Sequence, residues 1–417
     1  MGASKTIENP SKELSKLSTE HSSLCNEPEW LTIKRLNSLA DYDLEQMPDR
    51  VSHLWRYSDP QQFEFITGKD HNLFTNRLTI NFSSNQKTLP KGVIFKDLNE
   101  ALLDESANII KKNIYKLTGN IHNKFVCFND ALWTNGYFLY VPDGVKLEAP
   151  LIAKLLINDK NKYFPGRVLI VLGENASVNL IEDIISSNDL NLKTNITREI
   201  FLGKGAKLNF LNLQILDNSS INYAYQNVSL SEKSELTNLI VSIGGKSSKS
   251  DIDINLKGTS SAANVYGLVL GDKTQRFDHH TFIHHIAENT KSLLDFRVAL
   301  KNNARSAYTG NLKIEHDAIK SDAKQENRNL LLSKDAKAES IPELEILTGD
   351  VLRCNHGVTV GQVEKEQLYY LTSRGLNEKE AEKLIIEGFF EPTISKVTDE
   401  SFKEEIRLKI NEKLENT

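Results

Sequence analysis

The chain has 417 residues, of which 39% are hydrophobic and 26% charged, and its formal net charge is −5. This composition is typical of a globular protein and argues against a nucleic-acid-binding protein, whose surface is usually basic. Cys25, Cys127 and Cys354 are few and far apart, which indicates a reducing compartment. No apolar run has the length of a membrane span and no signal or transit segment is evident, so we expect a cytoplasmic protein without a membrane partner.

Residues 1–120 are predicted to form a mostly helical region with a disordered start, because the first segment is polar. Asp97 is expected to cap a helix that runs through Ile110. An earlier helix is predicted from a stripe of apolar residues, namely Trp30, Leu31, Ile33, Leu36, Leu39 and Ala40.

Near Ile121 the pattern changes to short, apolar, β-rich runs that alternate with small turn-forming residues. Weaker copies of one turn outline start at Lys301 and Ser333. The stronger copies, spaced about 28–30 residues apart, start at Gly173, Gly203, Ser231 and Ser260. Each copy has a small residue that is expected to point inwards, and in the stronger copies these are Ala176, Ala206, Ser234 and Ala263.

A repeat of this length in a β-rich chain predicts a solenoid, in which each turn buries its apolar face against its neighbours. We therefore predict a mainly β fold with a parallel β-helix over about Phe125–Val360, assigned as domain 121–361, between helical regions. A β-sandwich, which also has frequent short strands, is the minor alternative. Because an open end of a β-helix exposes unpaired backbone groups, we expect the flanking helical regions to cap its ends.

The last part of the chain, assigned as domain 362–417, is predicted to be helical. Asn377 and Glu380 have the spacing of a capping box at a helix start, and Pro392 is expected to end that helix. The three predicted helices span Glu364–Arg374, Asn377–Pro392 and about Asp399–Glu415.

Cys354 and His356 are candidates for a metal site, because residues at i and i+2 of a strand point to the same face. Thiolate and imidazole are ligands that iron, zinc and iron–sulfur clusters accept. Arg353 and His356 would lower the pKa of the Cys354 thiol if they lay close to it. Two ligands do not complete a tetrahedral site, so others would have to come from elsewhere, such as another chain. On spacing alone, we favour a structural role for both residues.

The densest histidine cluster contains His279, His280, His284 and His285. On a strand, His280 and His284 share one face and His279 and His285 the other. Metal binding or proton transfer is one interpretation. We favour a polar surface beside a turn, because no carboxylate spacing in this cluster matches a known metal motif.

Another polar bend contains His316, Asp317, Lys320 and Asp322. A pair of carboxylates is also what glycoside hydrolysis requires, so a β-helix carbohydrate-active enzyme is an alternative function. Turn chemistry explains the same residues without a reaction, because Asp favours bends.

Several segments together carry a specific resemblance to one family. They are Leu54–Asp59, Val141–Pro150, Ser321–Leu332, Pro342–Ile346, Cys354–Gly361 and Glu366–Gly375. From about Pro48 to Pro392 the chain resembles the SufB/SufD family of iron–sulfur cluster assembly scaffolds. The resemblance implies a right-handed parallel β-helix with helical ends, and a protein that is not an enzyme.

Two positions resemble the SufD branch of the family. The sequence of Cys354–Gly357 is SufD-like, whereas SufB-like chains tend to carry His-Glu-Ala there. Asn327 stands where a SufB-like chain is expected to have a cysteine. Asn355 departs from the Ser that related chains often have. A self-sufficient SufB-like cluster scaffold remains the alternative within the family.

The resemblance implies a SufB–SufC–SufD-type complex, in which this chain pairs with a SufB-like β-helix and docks a SufC-like ABC ATPase. A nascent iron–sulfur cluster would be held transiently at the shared interface by His356, helped by Cys354, and by ligands of the partner. No cluster is expected to bind firmly to this chain alone, and the isolated chain can form a homodimer. The residues expected to bind partners are Leu368, Tyr369, Leu371, Arg374, Gly375, Leu384 and Phe389. For Leu368, Tyr369 and Leu371, packing into the chain's own core is the competing interpretation.

Overall fold

The computed structural model describes residues 10–65, 79–84, 88–119, 121–157, 163–187, 191–397 and 399–415. The first nine residues of the predicted disordered start therefore lie outside the described part of the chain. No helix in the described part is both long enough and apolar enough to cross a membrane.

In the described part of the chain, eighteen strands form two nine-stranded sheets, called sheet A and sheet B. Sheet A contains, in spatial order, β1 (Thr79–Ser84), β4 (Leu151–Ile157), β6 (Ser177–Ser186), β8 (Lys207–Ile215), β10 (Glu235–Ser242), β12 (Ala262–Gly271), β14 (Lys291–Leu300), β16 (Ser321–Leu331) and β18 (Val351–Gln362). Sheet B contains β2 (Ile94–Asp97), β3 (Asn135–Val141), β5 (Tyr163–Leu172), β7 (Lys193–Leu202), β9 (Ile221–Leu230), β11 (Ser247–Leu256), β13 (Arg276–His285), β15 (Arg305–Ile314) and β17 (Lys337–Ile346).

From β3 onwards the chain passes alternately between the sheets, and each strand pairs in parallel with the strand two places further along. In the first three strong copies equivalent residues stack directly, so that Val178 of β6 lies beside Leu208 of β8, which lies beside Leu236 of β10. The fourth predicted copy is displaced by two residues, because Leu236 lies beside Ala263 of β12 and not beside Val265. The predicted β-helix with flanking helices is therefore confirmed.

The stronger turn copies all lie on one edge of the solenoid, where the chain passes from sheet B to sheet A, and their small residues are buried as predicted. The weaker copies at Lys301 and Ser333 lie on the opposite edge. Both edges use the same turn chemistry, because both need residues with a positive φ: Asn175 has φ 55° on one edge and Asn302 has φ 54° on the other. A single alignment of turn sequences therefore mixed two series.

The space between the sheets holds the largest apolar core, which continues from Tyr137 of β3 to Tyr308 of β15. Helices cover the outer faces of both sheets. On sheet B, α1 (Pro10–Leu24), α2 (Glu29–Leu44) and α5 (Lys124–Leu132) contribute to a second cluster with Tyr223 and Tyr225. On sheet A, α7 (Glu378–Ile394) and α8 (Glu400–Glu415) form a third cluster with β8, β10 and β12.

The predicted apolar stripe of α2 is wrong in part, because Ile33 and Leu36 are exposed and Arg35 is buried. The Arg35 guanidinium donates to both carboxylate oxygens of Glu27, at 2.9 and 2.7 Å, and also to the carbonyls of Ala131 and Trp133. These partners compensate the Arg35 guanidinium for its lost hydration. The helix therefore turns Arg35 towards the protein interior, where hydrophobicity predicts Ile33 and Leu36.

The other amino-terminal prediction also changes in detail. Asp97 accepts hydrogen bonds from the backbone N–H groups of Asn99 and Glu100, as a cap should. The chain then forms two short helices, α3 (Leu98–Ala101) and α4 (Ala107–Asn113), and not one. Because α5 occupies Lys124–Leu132, the first parallel strand begins at Asn135, ten residues later than the predicted Phe125.

The carboxyl-terminal region contains α6 (Lys365–Ser373), α7 and α8, close to the predicted spans. The predicted capping box of Asn377 and Glu380 is present. The prediction that Pro392 ends the second helix is wrong, since α7 continues to Ile394. Ile394 is buried against sheet A, and the Thr393 hydroxyl donates to Asp295 at 3.2 Å, so tertiary packing holds the turn that proline weakens.

The two ends of the solenoid differ. At the amino-terminal end, β1 and β2 are short and pair antiparallel to their neighbours, and Phe82 and Phe95 pack against Tyr137. At the carboxyl-terminal end, β17 and β18 are the edge strands of their sheets. The prediction that helices cap this end is wrong, because α7 and α8 cover the outer face of sheet A, where the apolar residues of β8, β10 and β12 already offer a surface to bury.

Candidate functional site

The last turn of the solenoid, formed by β17 and β18, is far more exposed than the turns before it. Most residues of β18 are exposed, including the apolar Val358 and Val360, whereas almost all residues of β14 are buried. Among the described strands, β18 pairs with β16 alone, along one side. Its other side therefore presents a long row of backbone groups that a further strand can pair with.

Cys354 and His356 lie on β18 and point to the inner side of the last turn. Cys354 pairs with Ala323 of β16, and His356 pairs with Gln325. Ala323 and Gln325 are both buried and face the space between the sheets. The alternation of a strand then places Cys354 and His356 on that same face, as their spacing predicts.

Cys354 is half-buried in a small apolar cluster that includes Leu312, Leu344 and Val351. This burial raises the pKa of its thiol. Arg353 does not help to ionise it, because its Nε donates to Asp322 Oδ1 at 2.7 Å. The expectation of a lowered thiol pKa is therefore wrong for this chain alone: the neutral thiol is favoured.

Two buried amides lie on β16 in the turn before, Gln325 beside His356 and Asn327 beside Val358. The Gln325 Nε2 donates to the carbonyl of Gly310 at 3.3 Å, and its buried Oε1 has no hydrogen-bond partner among the described residues. The Asn327 Nδ2 donates to the carbonyl of Phe296 at 3.2 Å, while its Oδ1 accepts from Asn329 and from the Ser340 hydroxyl. Asn327 is thus a satisfied structural amide at the position where a SufB-like cysteine was expected.

No group of three or more His, Cys, Asp or Glu side chains in the described part of the chain is arranged to hold a metal ion. His356 is exposed and Cys354 lies on the same strand face, so together they offer two donors on one side of an open edge. These two donors are part of the ligand set of a metal site, and a second protein surface with further donors would complete it.

The histidine cluster on β13 has the predicted division of faces. His279 and His285 lie inside the solenoid, where burial lowers the pKa of each to about 4. On the outer face, the His280 nitrogens lie 3.0 Å from Asp251 Oδ1 and 2.9 Å from Asp278 Oδ1, and those carboxylates raise its pKa against the effect of burial. The role is therefore structural, but the predicted polar surface is wrong for His279, His280 and His285, which are all buried.

The polar bend with His316 and Asp317 is an exposed turn between β15 and β16. Asp322 follows it on β16 and pairs with Arg353. Its residues therefore have the turn and ion-pair roles that the structural interpretation predicts.

The predicted partner-binding residues lie on α6, on α7 and in the bend between them. None of the residues of α6 is buried, so the competing interpretation that Leu368, Tyr369 and Leu371 pack into the core does not describe this helix. Leu384 on α7 is 48% exposed. An open groove of about 540 Å³ separates the two helices and is lined by Glu364, Glu366, Gln367, Tyr370, Leu371, Leu384, Ile385 and Gly388.

Of the remaining predicted partner-binding residues, Arg374 and Gly375 are exposed in the bend. Phe389 is half-buried at the other end of α7, where its carbonyl accepts a 2.6 Å hydrogen bond from Arg297. Leu368 is also half-buried. The set therefore divides into an exposed part around the α6–α7 groove and one residue, Phe389, that anchors α7 on sheet A.

Comparison with known proteins gives the family. Residues 155–389 match the model of the SUF system FeS cluster assembly SufBD core domain, and residues 68–152 match that of the SufBD protein N-terminal region. The chain belongs to the SufB/SufD family.

Relatives of both branches are similar to this SufB/SufD protein. Iron-sulfur cluster assembly protein SufB of Bacillus subtilis is 31% identical over 306 residues, which cover 72% of this chain and 65% of the relative. SufD of the same organism is 30% identical over 346 residues, which cover 82% of this chain and 79% of the relative. An iron-sulfur cluster assembly SufBD family protein of Staphylococcus aureus is 30% identical over 306 residues, covering 72% and 65%. The chain thus spans slightly under two thirds of the SufB relative, and identity alone does not separate the branches.

Sequence reasoning missed two features of this SufB/SufD chain. The first is the open edge itself, because the family resemblance gave the fold but the helical ends were expected to cover it. A signal was present, since β18 alternates apolar Val358 and Val360 with exposed polar residues and so has one face to cover. The second is the α6–α7 groove, which depends on the bend at Gly375, with φ 100°.

Proposed function

We propose that this chain is the SufD-type, non-catalytic scaffold subunit of a cytoplasmic iron–sulfur cluster assembly complex. Its last turn pairs with a SufB-type β-helix, and the nascent cluster is the cargo held between the two chains. The observation that carries this proposal is the exposed His356 on the inner face of an unpaired terminal strand. An edge strand of this length that is neither charged along its inner face nor covered is a template for pairing with another chain.

In the paired complex, His356 supplies a neutral nitrogen donor to iron, and Cys354 supplies a second donor once a cation lowers its pKa. Iron is such a cation, because a coordinated thiol is deprotonated outright. The raised pKa of Cys354 in the separate chain supports this order of events, since a neutral thiol in an apolar cluster is protected from oxidation until a partner and iron arrive.

We propose that the α6–α7 groove docks a SufC-type ABC ATPase. The groove combines apolar residues with Glu364 and Glu366, as expected for a surface that binds a partner transiently. Only Val363 and Glu364 separate β18 from α6, so movement of a bound ATPase is transmitted to the strand that carries His356. At the other end, α7 is held on sheet A through Arg297, and Lys396 just beyond α7 pairs with Asp295.

The SufB-like alternative, a self-sufficient scaffold, is disfavoured by Asn327, whose amide is fully engaged inside the solenoid. A homodimer through the same open edge is the state we expect for the isolated chain. A carbohydrate-active enzyme is not proposed, because the candidate carboxylates have turn and ion-pair roles.

The central test is co-expression of this chain with SufB-type and SufC-type partners, purification by a tag on this chain, and measurement of bound iron and sulfide. His356→Ala is expected to preserve the complex and to lose most of the cluster. His122→Ala is the control, because that imidazole is 90% exposed and pairs with Glu45 of the amino-terminal region. Full cluster content in the His356 variant would return His356 to a structural role, and failure of any ATPase to copurify would contradict the scaffold proposal.

The docking surface is tested separately with a matched pair of leucines. Leu384 in the groove is 48% exposed, and Leu408 on α8 is 51% exposed outside the groove. Leu384→Asp is expected to reduce ATPase capture at least about tenfold, since a charge is buried at the interface, and Leu408→Asp to leave it unchanged. Equal capture by the two variants would exclude the groove as the docking site.

A further inference from the structure

A basic pocket lies on the outer face of sheet B, whereas the proposed cluster site lies on β18 of sheet A. It forms where the loop around Arg50 and Tyr57 crosses the first residues of β13, β15 and β17. The cavity has a volume of about 220 Å³. Its lining residues are Arg50, Tyr57, Ser58, Arg276, Phe277, Arg305, Ser306, Ala307, Lys337 and Glu339.

Three of these residues form a cationic ladder, which we define as Arg276, Arg305 and Lys337. Each is the first residue of its strand, and the register places Arg305 directly between the other two. Neighbouring strands are about 4.8 Å apart, so three positive charges are stacked at the spacing of a sheet. Like charges in directly opposite positions destabilise a sheet, so the ladder does not add to the stability of the fold.

The ladder is not neutralised by its surroundings. Within the described residues, the structure gives no ion pair for Arg276, Arg305 or Lys337, although ion pairs are frequent elsewhere on this surface. Arg50 adds a fourth cation from the crossing loop, and Glu339 is the one carboxylate among the lining residues. Four cations less one carboxylate leave a pocket with an excess of three positive charges.

The walls of the pocket fit a compact anion. Ala307 is buried on the outer face and makes part of the lining apolar, and Tyr57 lines the pocket from the crossing loop. Ser58 is fixed in position because its Oγ donates to Asp278 Oδ2 at 2.6 Å. An apolar wall lowers the local dielectric constant and strengthens the attraction of an anion to the guanidinium groups.

We propose that this pocket binds the phosphate or pyrophosphate group of a small phosphorylated molecule. A guanidinium group donates two parallel hydrogen bonds to the oxygens of a phosphate. Arg276 and Arg305 lie side by side on neighbouring strands, so both can contact one phosphate or pyrophosphate group. A volume of about 220 Å³ is below the roughly 300–1,000 Å³ of pockets that enclose a whole drug-sized ligand, so the pocket takes the charged group and leaves the remainder outside. The proposal does not depend on the proposed cluster-assembly function.

The test is calorimetric titration of the full chain with pyrophosphate and with inorganic phosphate at constant ionic strength. Wild-type protein is expected to bind pyrophosphate saturably and more tightly than phosphate. Arg305→Gln is expected to weaken pyrophosphate binding at least tenfold, and Arg305→Lys to retain part of it. Lys291→Gln is the control, because Lys291 is also an exposed first residue of a strand, but on sheet A. It should leave binding unchanged.

Melting temperature without ligand separates loss of a site from loss of the fold. Because Arg305→Gln removes a repulsion, its melting temperature should equal or exceed that of the wild type. Absence of saturable pyrophosphate binding at millimolar concentration overturns the proposal, as does equal weakening by Arg305→Gln and Lys291→Gln. If wild-type protein ignores pyrophosphate while Arg305→Gln loses a SufB-type partner, the ladder binds an acidic protein surface and the proposal is likewise wrong.

Discussion

The middle turns of the solenoid and its last turn have the same backbone but opposite surroundings. β14 pairs with β12 on one side and β16 on the other, and helix α7 packs across it. β18 has the same parallel hydrogen bonding to β16, and none of the described residues forms a strand beyond it. In a solenoid, backbone hydrogen bonding to one neighbour therefore does not by itself bury the side chains of a strand. A turn is buried by neighbours on both sides, and a turn with one neighbour is folded and still available to a partner.

The largest contrast between the regions is expected for buried and exposed ion pairs. Arg167 on β5 is fully buried between Asp130 and Glu199. Arg167→Leu leaves two buried carboxylates without their cation, which should lower the free energy of unfolding by about 3–5 kcal/mol. Arg353→Leu on β18 removes an exposed pair with Asp322 and should cost less than about 1 kcal/mol. Denaturant unfolding of both variants measures the difference, and similar costs would contradict it.

Truncation of an apolar side chain should also lower the free energy of unfolding more in the middle turns than in the last turn, by a somewhat smaller amount than loss of the buried ion pair. Leu208 is buried between the sheets, and Leu352 on β18 is exposed. Leu208→Ala is expected to cost about 2–5 kcal/mol through lost burial and a cavity. Leu352→Ala should stay within about 0.5 kcal/mol of wild type. Thermal melting of the isolated chain is the measurement. A large cost for Leu352→Ala would mean that the last turn is packed in solution.

Acid should destabilise the interior through His285. Its nitrogens contact the hydroxyls of Thr290 and Ser292, both at 2.8 Å, and burial lowers its pKa from 6.5 to about 4. The unfolded chain therefore binds a proton that the folded chain does not, so this residue's contribution is constant above pH 6.5 and falls as the pH decreases towards 4. Between pH 7 and 5, His285→Asn should lose less stability than wild type, by on the order of 1 kcal/mol. Parallel pH profiles would exclude this role.

The reactivity of the cysteine thiols should also differ between the buried interior and the exposed last turn, and it can be measured without a mutation. Burial raises the pKa of Cys127 to about 12, and Cys127 is buried against the amino-terminal helices. The pKa of Cys354 is also raised, but its side chain is only half-buried at the open edge. Alkylation near neutral pH should modify Cys354 first, at least about tenfold faster than Cys127, and still slowly for a free thiol. Mass spectrometry of digested protein gives the order, and protection of Cys354 by a SufB-type partner would locate the interface.

Much of the fold was predictable from the sequence, because each turn of the solenoid repeats the same local requirements. Ala176, Ala206 and Ser234 are small and buried at the same point of successive turns, so their spacing is visible in the chain. Ser261, and not the predicted Ala263, continues this series, because Ala263 lies beside Leu236. The failures occur where one contact overrides a pattern. Arg35 is buried because Glu27 pairs with it, and α7 passes Pro392 because sheet A holds Thr393 and Ile394. Hydrophobicity and local propensity carry no information about such partners.

The candidate site was only partly predictable. The spacing of Cys354 and His356 fixes their common face, which the register with Ala323 and Gln325 agrees with. Their exposure depends on what covers the end of the solenoid, which is a question of where α7 and α8 pack. The packing of α7 and α8 is determined by apolar residues on the outer face of sheet A, many residues earlier in the chain. No local sequence pattern near Cys354 predicts it.

The different ends of the solenoid limit the size of any assembly that forms by adding strands. Growth of a fibre requires a strand-pairing surface at both ends of each molecule. At the amino-terminal end, the edge strands are short and antiparallel and aromatic rings pack against them, so this end is a poor template for a further strand. A molecule with one strand-pairing end can join one other molecule through that end, so end-to-end association stops at a dimer. The polarity of the solenoid thus protects a protein with long bare strand edges from endless polymerisation.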